Sequence, residues 1–89
     1  MNTYIIGYDL NRPGQGYHDL FEAIKDLGAW GHYLDSTWIV KSAYNAVQIR
    51  DCLSPYLDAN DELLVACLSG EAAWIGFNSD GSAWLKQNL

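Results

Sequence analysis

The stretch Tyr4-Ile5-Ile6-Gly7-Tyr8-Asp9-Leu10, closed by Asn11-Arg12-Pro13-Gly14-Gln15-Gly16, decides how the rest of the chain is read. Its first half is β-branched and aromatic and its second half turn-forming, which predicts a strand running into a glycine-rich loop. Alternate residues of a strand face opposite ways. Tyr4, Ile6 and Tyr8 therefore share one side, and Ile5 and Gly7 share the other with Asp9. Both sides carry apolar residues, whereas an antiparallel sheet with one wet face alternates apolar and polar. The second face is thus expected to be covered, most simply by another copy of the chain.

Downstream, Tyr17, Leu20, Phe21, Ile24 and Leu27 recur at helical spacing, and Gly28 follows where a helix stops. Trp30–Leu34 and Thr37–Lys41 flank Asp35-Ser36 as a hairpin. Ser42 is the expected cap of a second helix whose Ala46, Ile49, Leu53 and Leu57 share a face, with Pro55 marking its end. The apolar run Leu63–Leu68 reads as a fourth strand, Ala73–Phe77 as a further strand or extended arm, and Ser82–Leu89 as a short helix or docking segment. The order β-α-β-β-α-β is the split βαβ pattern. It predicts one α+β, ferredoxin-like domain over residues 1–89, with strands one and three central in an antiparallel sheet and helices on one face. Residues 3–68 form its core, and an extra C-terminal strand and tail occupy 72–89.

Five Lys and Arg against eleven Asp and Glu give the 89 residues a net charge of −6. Five acids and three bases lie in residues 1–45, six and two in 46–89. A basic protein that wraps nucleic acid is excluded, because phosphate affinity is built from clustered Lys and Arg. No basic region followed by an apolar run opens the chain, and Leu63–Leu68 is too short to span a bilayer. The expectation is a cytoplasmic protein with no membrane partner. Cys52 and Cys67 lack the spacing of a zinc site and read as buried thiols.

Asp9 is the leading candidate for chemistry, since a carboxylate at the end of an apolar strand costs desolvation unless it is reached by water or has a purpose. Two copies of Asp9 at a dyad would suit one Mg²⁺, which takes one or two carboxylates and keeps waters. The alternative is that Asp9 caps the following loop through its own side chain. That loop lacks both the P-loop and the dinucleotide fingerprint, leaving Arg12 as its one phosphate contact. His18 and His32 have no metal-ligand partner at ligand spacing, and Trp30, Trp38, Trp74 and Trp84 read as core or as protein-interface anchors.

Tyr4 to Leu10, the helix ending in Leu27-Gly28, and the strand containing Ser36-Thr37-Trp38 resemble the small CRISPR-associated Cas-two family and its virulence-associated protein D relatives, and also short bacterial proteins labelled SinR-like. The resemblance runs over residues 3–77 by element order. It implies a ferredoxin-like homodimer joined through its sheets, with a strand-one aspartate falling on Asp9 and a serine falling on Ser36. Some members are described as metal-dependent nucleases, others as scaffolds. The family's several arginines after the aspartate are reduced here to Arg12.

Two functions stand from the sequence. One is a Cas-two-like homodimer in nucleic-acid defence or toxin action, with Mg²⁺-assisted cleavage of RNA or DNA by paired Asp9 and with Arg12 on a phosphate. The other is a non-enzymatic acidic interaction protein, such as a phage-encoded inhibitor that fills a basic nucleic-acid groove of a defence complex. The net charge disfavours nucleic acid and favours a basic protein partner.

Overall fold

The computed structural model describes residues 1–12 and 16–89; Pro13, Gly14 and Gln15, read above as part of a glycine-rich loop, lie outside the described residues. Along the chain come β1 (Asn2–Asp9), α1 (His18–Lys25), β2 (Ala29–Leu34), β3 (Thr37–Ser42), α2 (Ala46–Leu53) with a single 3-10 turn at Ser54–Tyr56, β4 (Glu62–Cys67) and α3 (Ser79–Asn88). The four strands form an antiparallel sheet in the order β2-β3-β1-β4, with β1 and β3 central as expected.

Strand alternation sorts the chain into a core face and an opposite face. Tyr4, Ile6 and Tyr8 of β1 and Trp38 and Val40 of β3 pack with Leu20 and Ile24 of α1 and with Ile49 and Leu53 of α2. Each fully buried side chain of this kind contributes about 1.5–3 kcal/mol. The indole N–H of Trp38 donates to the Tyr8 hydroxyl at 2.9 Å, so the aromatic core carries its polar atoms in pairs. Among the described residues no buried side-chain nitrogen or oxygen lacks a partner. Gly28 joins α1 to β2 where a Cβ would run into the Lys41 carbonyl, a close approach that only glycine permits.

The opposite face differs from expectation. Ala29 and Gly31 of β2 register with Lys41 and Ile39 of β3, and α3 lies over β2 on this side. The Trp84 ring of α3 rests on Gly31, Leu85 is 2% exposed, and the Thr3 hydroxyl donates to the Asn88 carbonyl, one of the carbonyls a helix end leaves unpaired. The chain's own third helix thus covers part of the face assigned above to a second copy.

The expected C-terminal strand is absent: no described residue between Leu68 and Asn78 enters the sheet. The reason is topological. α3 docks on β2, the edge opposite β4, so residues 69–78 must cross the molecule instead of lining up along β4. Gly70 (φ +94°) and Gly76 (φ +87°) turn this arm with left-handed backbone, and Trp74 donates its N–H to Ser82 Oγ at 3.0 Å. Ile75 is left 93% exposed.

Two smaller expectations also change. The cap of α2 is Asn45, whose side chain accepts from the Gln48 N–H while Gln48 accepts from the Asn45 N–H, a reciprocal capping box. Ser42 is instead buried at the end of β3 and accepts from the Tyr44 N–H at 3.2 Å. Cys52 and Cys67 are exposed rather than buried. Cys52 lies off the stripe of α2 that buries Ile49 and Leu53, and Cys67 closes the edge strand β4. No helix among the described residues is long and apolar enough to cross a membrane.

Candidate functional site

The part of the opposite face nearest the β2–β3 turn holds a shallow hollow of about 470 Å³. Gly7 and Asp9 of β1, Ser36 and Thr37 of the hairpin, and Glu62 and Leu64 of β4 line it. Register explains the grouping: Gly7 pairs with Thr37 on one side and Leu64 on the other, and Asp9 pairs with Glu62. Asp9 and Ser36, carried over from the family resemblance, therefore lie in one hollow. The Tyr8 N–H donates to the Ser36 carbonyl at 3.1 Å and ties the turn to β1.

Asp9 is exposed and ends its strand. Its carbonyl accepts from the Asn11 side-chain amide at 3.4 Å, and no hydrogen bond among the described residues engages its carboxylate. The described ends of the loop are held by Asp61, which the sequence reading did not single out. Asp61 accepts from the Asn11 N–H at 2.7 Å, from the Tyr17 hydroxyl at 3.0 Å and from the Asp58 N–H at 2.8 Å. Burial alone would raise its pKa, but these donors and the Arg12 charge outweigh that and hold the carboxyl below its ordinary range. Tyr17 responds in the opposite sense: burial and the bond it donates to Asp61 push its hydroxyl up. The signal was present in the turn-forming run Asp58-Ala59-Asn60-Asp61, although two of its three partners, Asn11 and Tyr17, lie more than 40 residues earlier.

Arg12 does not line the hollow. Its guanidinium bonds both Asp58 oxygens, at 3.0 and 3.1 Å, and ties the segment after β1 to the loop before β4. Lys25 pairs with Glu22 at 3.1 Å and also lies over the Trp30 ring, and Arg50 pairs with Asp51. Three of the five bases are thus held by acids of this chain, and the hollow is lined by none.

The histidines sit apart. His18 opens α1 and is exposed; His32 stacks on Trp38, centroids 3.7 Å apart and planes 12° from parallel, with Nε2 3.2 Å from the Asp35 carbonyl. Beneath it, burial pushes the Tyr8 hydroxyl above its ordinary pKa, the Trp38 N–H acts against this, and Asp35 adds to the rise. Among the described residues no three His, Cys, Asp or Glu side chains converge to hold a metal ion. Of the tryptophans expected as anchors, Trp38 is buried, Trp84 packs on Gly31, Trp74 bonds Ser82, and Trp30 alone is prominently exposed.

The chain was compared with protein-family models, curated proteins and solved structures, and none of them matches it.

Proposed function

We propose that this chain is a non-enzymatic interaction protein on a ferredoxin-like scaffold, and that it binds a basic surface of a protein partner. The scaffold reading rests on the element order and on the strand order β2-β3-β1-β4, in which both neighbours of β1 run antiparallel to it. One observation carries the function: the hollow presents Asp9 and Glu62 with no base, while Arg12, Lys25 and Arg50 are spent on acids of the same chain. A polyanion meets net repulsion there, and a cationic partner meets attraction that steers its approach.

The test is fluorescence anisotropy of a labelled arginine-rich peptide, alongside labelled single-stranded DNA and RNA of equal length, between about 50 and about 200 mM salt. Peptide binding that weakens with salt, with no nucleic-acid binding, is the expected result. Nucleic acid that binds as well as the peptide overturns the reading.

A second reading is favoured by the placement of Asp9 and Ser36 in one hollow beside the exposed Leu64. It is a Cas-two-like homodimer joined through the uncovered half of the sheet. A hydrated Mg²⁺ would suit Asp9 together with Glu62 or a second Asp9, and when bound would supply charge stabilisation at a phosphodiester. Sedimentation and nuclease assays with Mg²⁺, on wild type and Asp9→Ala, test it. Cleavage that survives Asp9→Ala, or a monomer, removes it.

A further inference from the structure

Gly7 lies inside a central strand, where glycine weakens the sheet and commonly marks a close approach by something else. A Cβ built on Gly7 meets nothing within 4 Å. Gly31, by contrast, is closely covered: a Cβ there would come 2.7 Å from the Tyr33 ring and 2.9 Å from the Trp84 ring. Nothing in the described chain occupies the space over Gly7. Its register partner Leu64 is 66% exposed, and two pairs further along, on the same face, Asp9 stands opposite Glu62. Like charges directly opposite weaken a ladder. The ion pairs of the described residues leave both carboxylates out. The β1–β4 ladder thus bears two unfavourable features side by side on one face, and nothing among the described residues relieves either.

We propose that this strip receives an arginine side chain of the basic partner, its guanidinium between Asp9 and Glu62 and its methylenes across Gly7 against Leu64. The inference rests on the interaction reading above and states where the partner engages. Charge complementarity selects the occupant: two carboxylates without a counter-charge, next to an apolar side chain and bare backbone. Opposed residues of an antiparallel pair hold their Cβ atoms about 4.5–5.5 Å apart, which a planar two-armed guanidinium bridges. Two strand residues advance about 6.6–6.8 Å, comparable to the arginine stem, and the missing Cβ at Gly7 lets that stem lie on the backbone. A lysine brings a point charge with no plane to bridge the pair. A metal ion leaves Gly7 and Leu64 without a role, and a second copy of the chain would crowd four carboxylates together.

The experiment is a titration of the ¹⁵N-labelled full chain with a blocked Gly-Arg-Gly peptide, followed by amide shifts. Matched peptides carry lysine or the neutral isostere citrulline in place of arginine, and Mg²⁺ alone serves as a further probe. The arginine peptide is expected to move the amides of Gly7, Asp9 and Leu64, and citrulline to move none of them. Lysine should bind more weakly, and Asp9→Asn and Glu62→Gln should each weaken the arginine peptide roughly three- to tenfold. If both variants bind it as wild type does, or if the shifts fall on another surface, the site is wrong while the interaction reading survives. Mg²⁺ moving these amides where the arginine peptide does not, or a dimer that broadens them, overturns the proposal in favour of a cation or a second copy. If the longer arginine-rich peptide fails as well, the interaction reading falls together with the site.

Discussion

One substitution made twice separates the covered half of the opposite face from the open half. Gly31 and Gly7 both lie in strands on that face, so Gly→Ala gives each the same backbone gain, about 0.5–1 kcal/mol for removing glycine from an ordered strand. At Gly31 the new methyl comes 2.7 Å from Tyr33 Cε2 and 2.9 and 3.0 Å from two Trp84 ring carbons. Carbon atoms pack best at about 3.5–4.0 Å. The overlap must be relieved by moving the Tyr33 ring and lifting Trp84 with α3, and overpacking of this kind costs about 1–3 kcal/mol. At Gly7 the methyl meets nothing within 4 Å and only the gain remains. Gly7→Ala should therefore stabilise, Gly31→Ala should destabilise or break even, and the two should differ by about 1–3 kcal/mol. Each kcal/mol shifts Tm by about 4–8 °C for a domain of this size. Urea and thermal unfolding of both variants provide the measurement, with Trp84→Leu as a relieving background in a double-mutant cycle. Equal stability changes at the two positions, or a cost at Gly31 that Trp84→Leu does not reduce at all, would refute the placement of α3 on β2; the part due to Tyr33 remains in that background.

Further expectations follow from the same contacts. Leu85→Ala, at a side chain 2% exposed, should cost about 2–5 kcal/mol and raise amide exchange in α3 before the rest of the sheet. Asp61→Asn should flatten the acid limb of a stability–pH curve. The native Asp61 pKa is depressed, so its contribution is present above the unfolded value near 3.9 and is lost as pH falls through the folded value. Tyr8 and Tyr17 act at the alkaline end: their native pKa values are raised, so their contribution is full below about pH 10 and is lost as pH rises through the folded values. Tyr8→Phe should remove part of that limb; an unchanged limb would exclude the buried hydroxyl as its source. Asp9→Asn should stabilise the free protein by a few tenths of a kcal/mol, because it relieves the opposed pair with Glu62, and a loss measured by urea unfolding would contradict that pairing.

Much of the framework was legible in local pattern. Leu20, Ile24, Ile49 and Leu53 fall at helical spacing, and each is buried against the even-numbered face of β1. Places of failure were those where one local signal competed with another. Ser42 and Asn45 are both capping residues three positions apart, and the choice between them was made by Ser42 being drawn into β3. The exposure of Cys52 depended on which stripe of α2 met the sheet, and cysteine preference does not encode that. The site was legible in part: Asp9 and Ser36 were singled out and share a hollow, whereas Glu62 and Gly7 gain meaning only once β1 and β4 are in register. Arg12, read as a phosphate contact, is held by Asp58, a partner 46 residues away.

The sequence by itself determined the β-α-β-β-α-β order up to β4, which β1 side chains share a face, and an acid excess that disfavours a polyanion. These are properties of neighbouring residues and of composition, and short-range periodicity carries them. Only the tertiary structure decided that α3 covers the β2 end of the opposite face, that Asp61 bonds Asn11 and Tyr17, and that the ion pairs of the described residues leave out Asp9 and Glu62. Each depends on contacts between residues roughly forty or more positions apart, such as Trp84 on Gly31 and Arg12 on Asp58. Strand pairing and helix docking create such contacts, and no local preference specifies them.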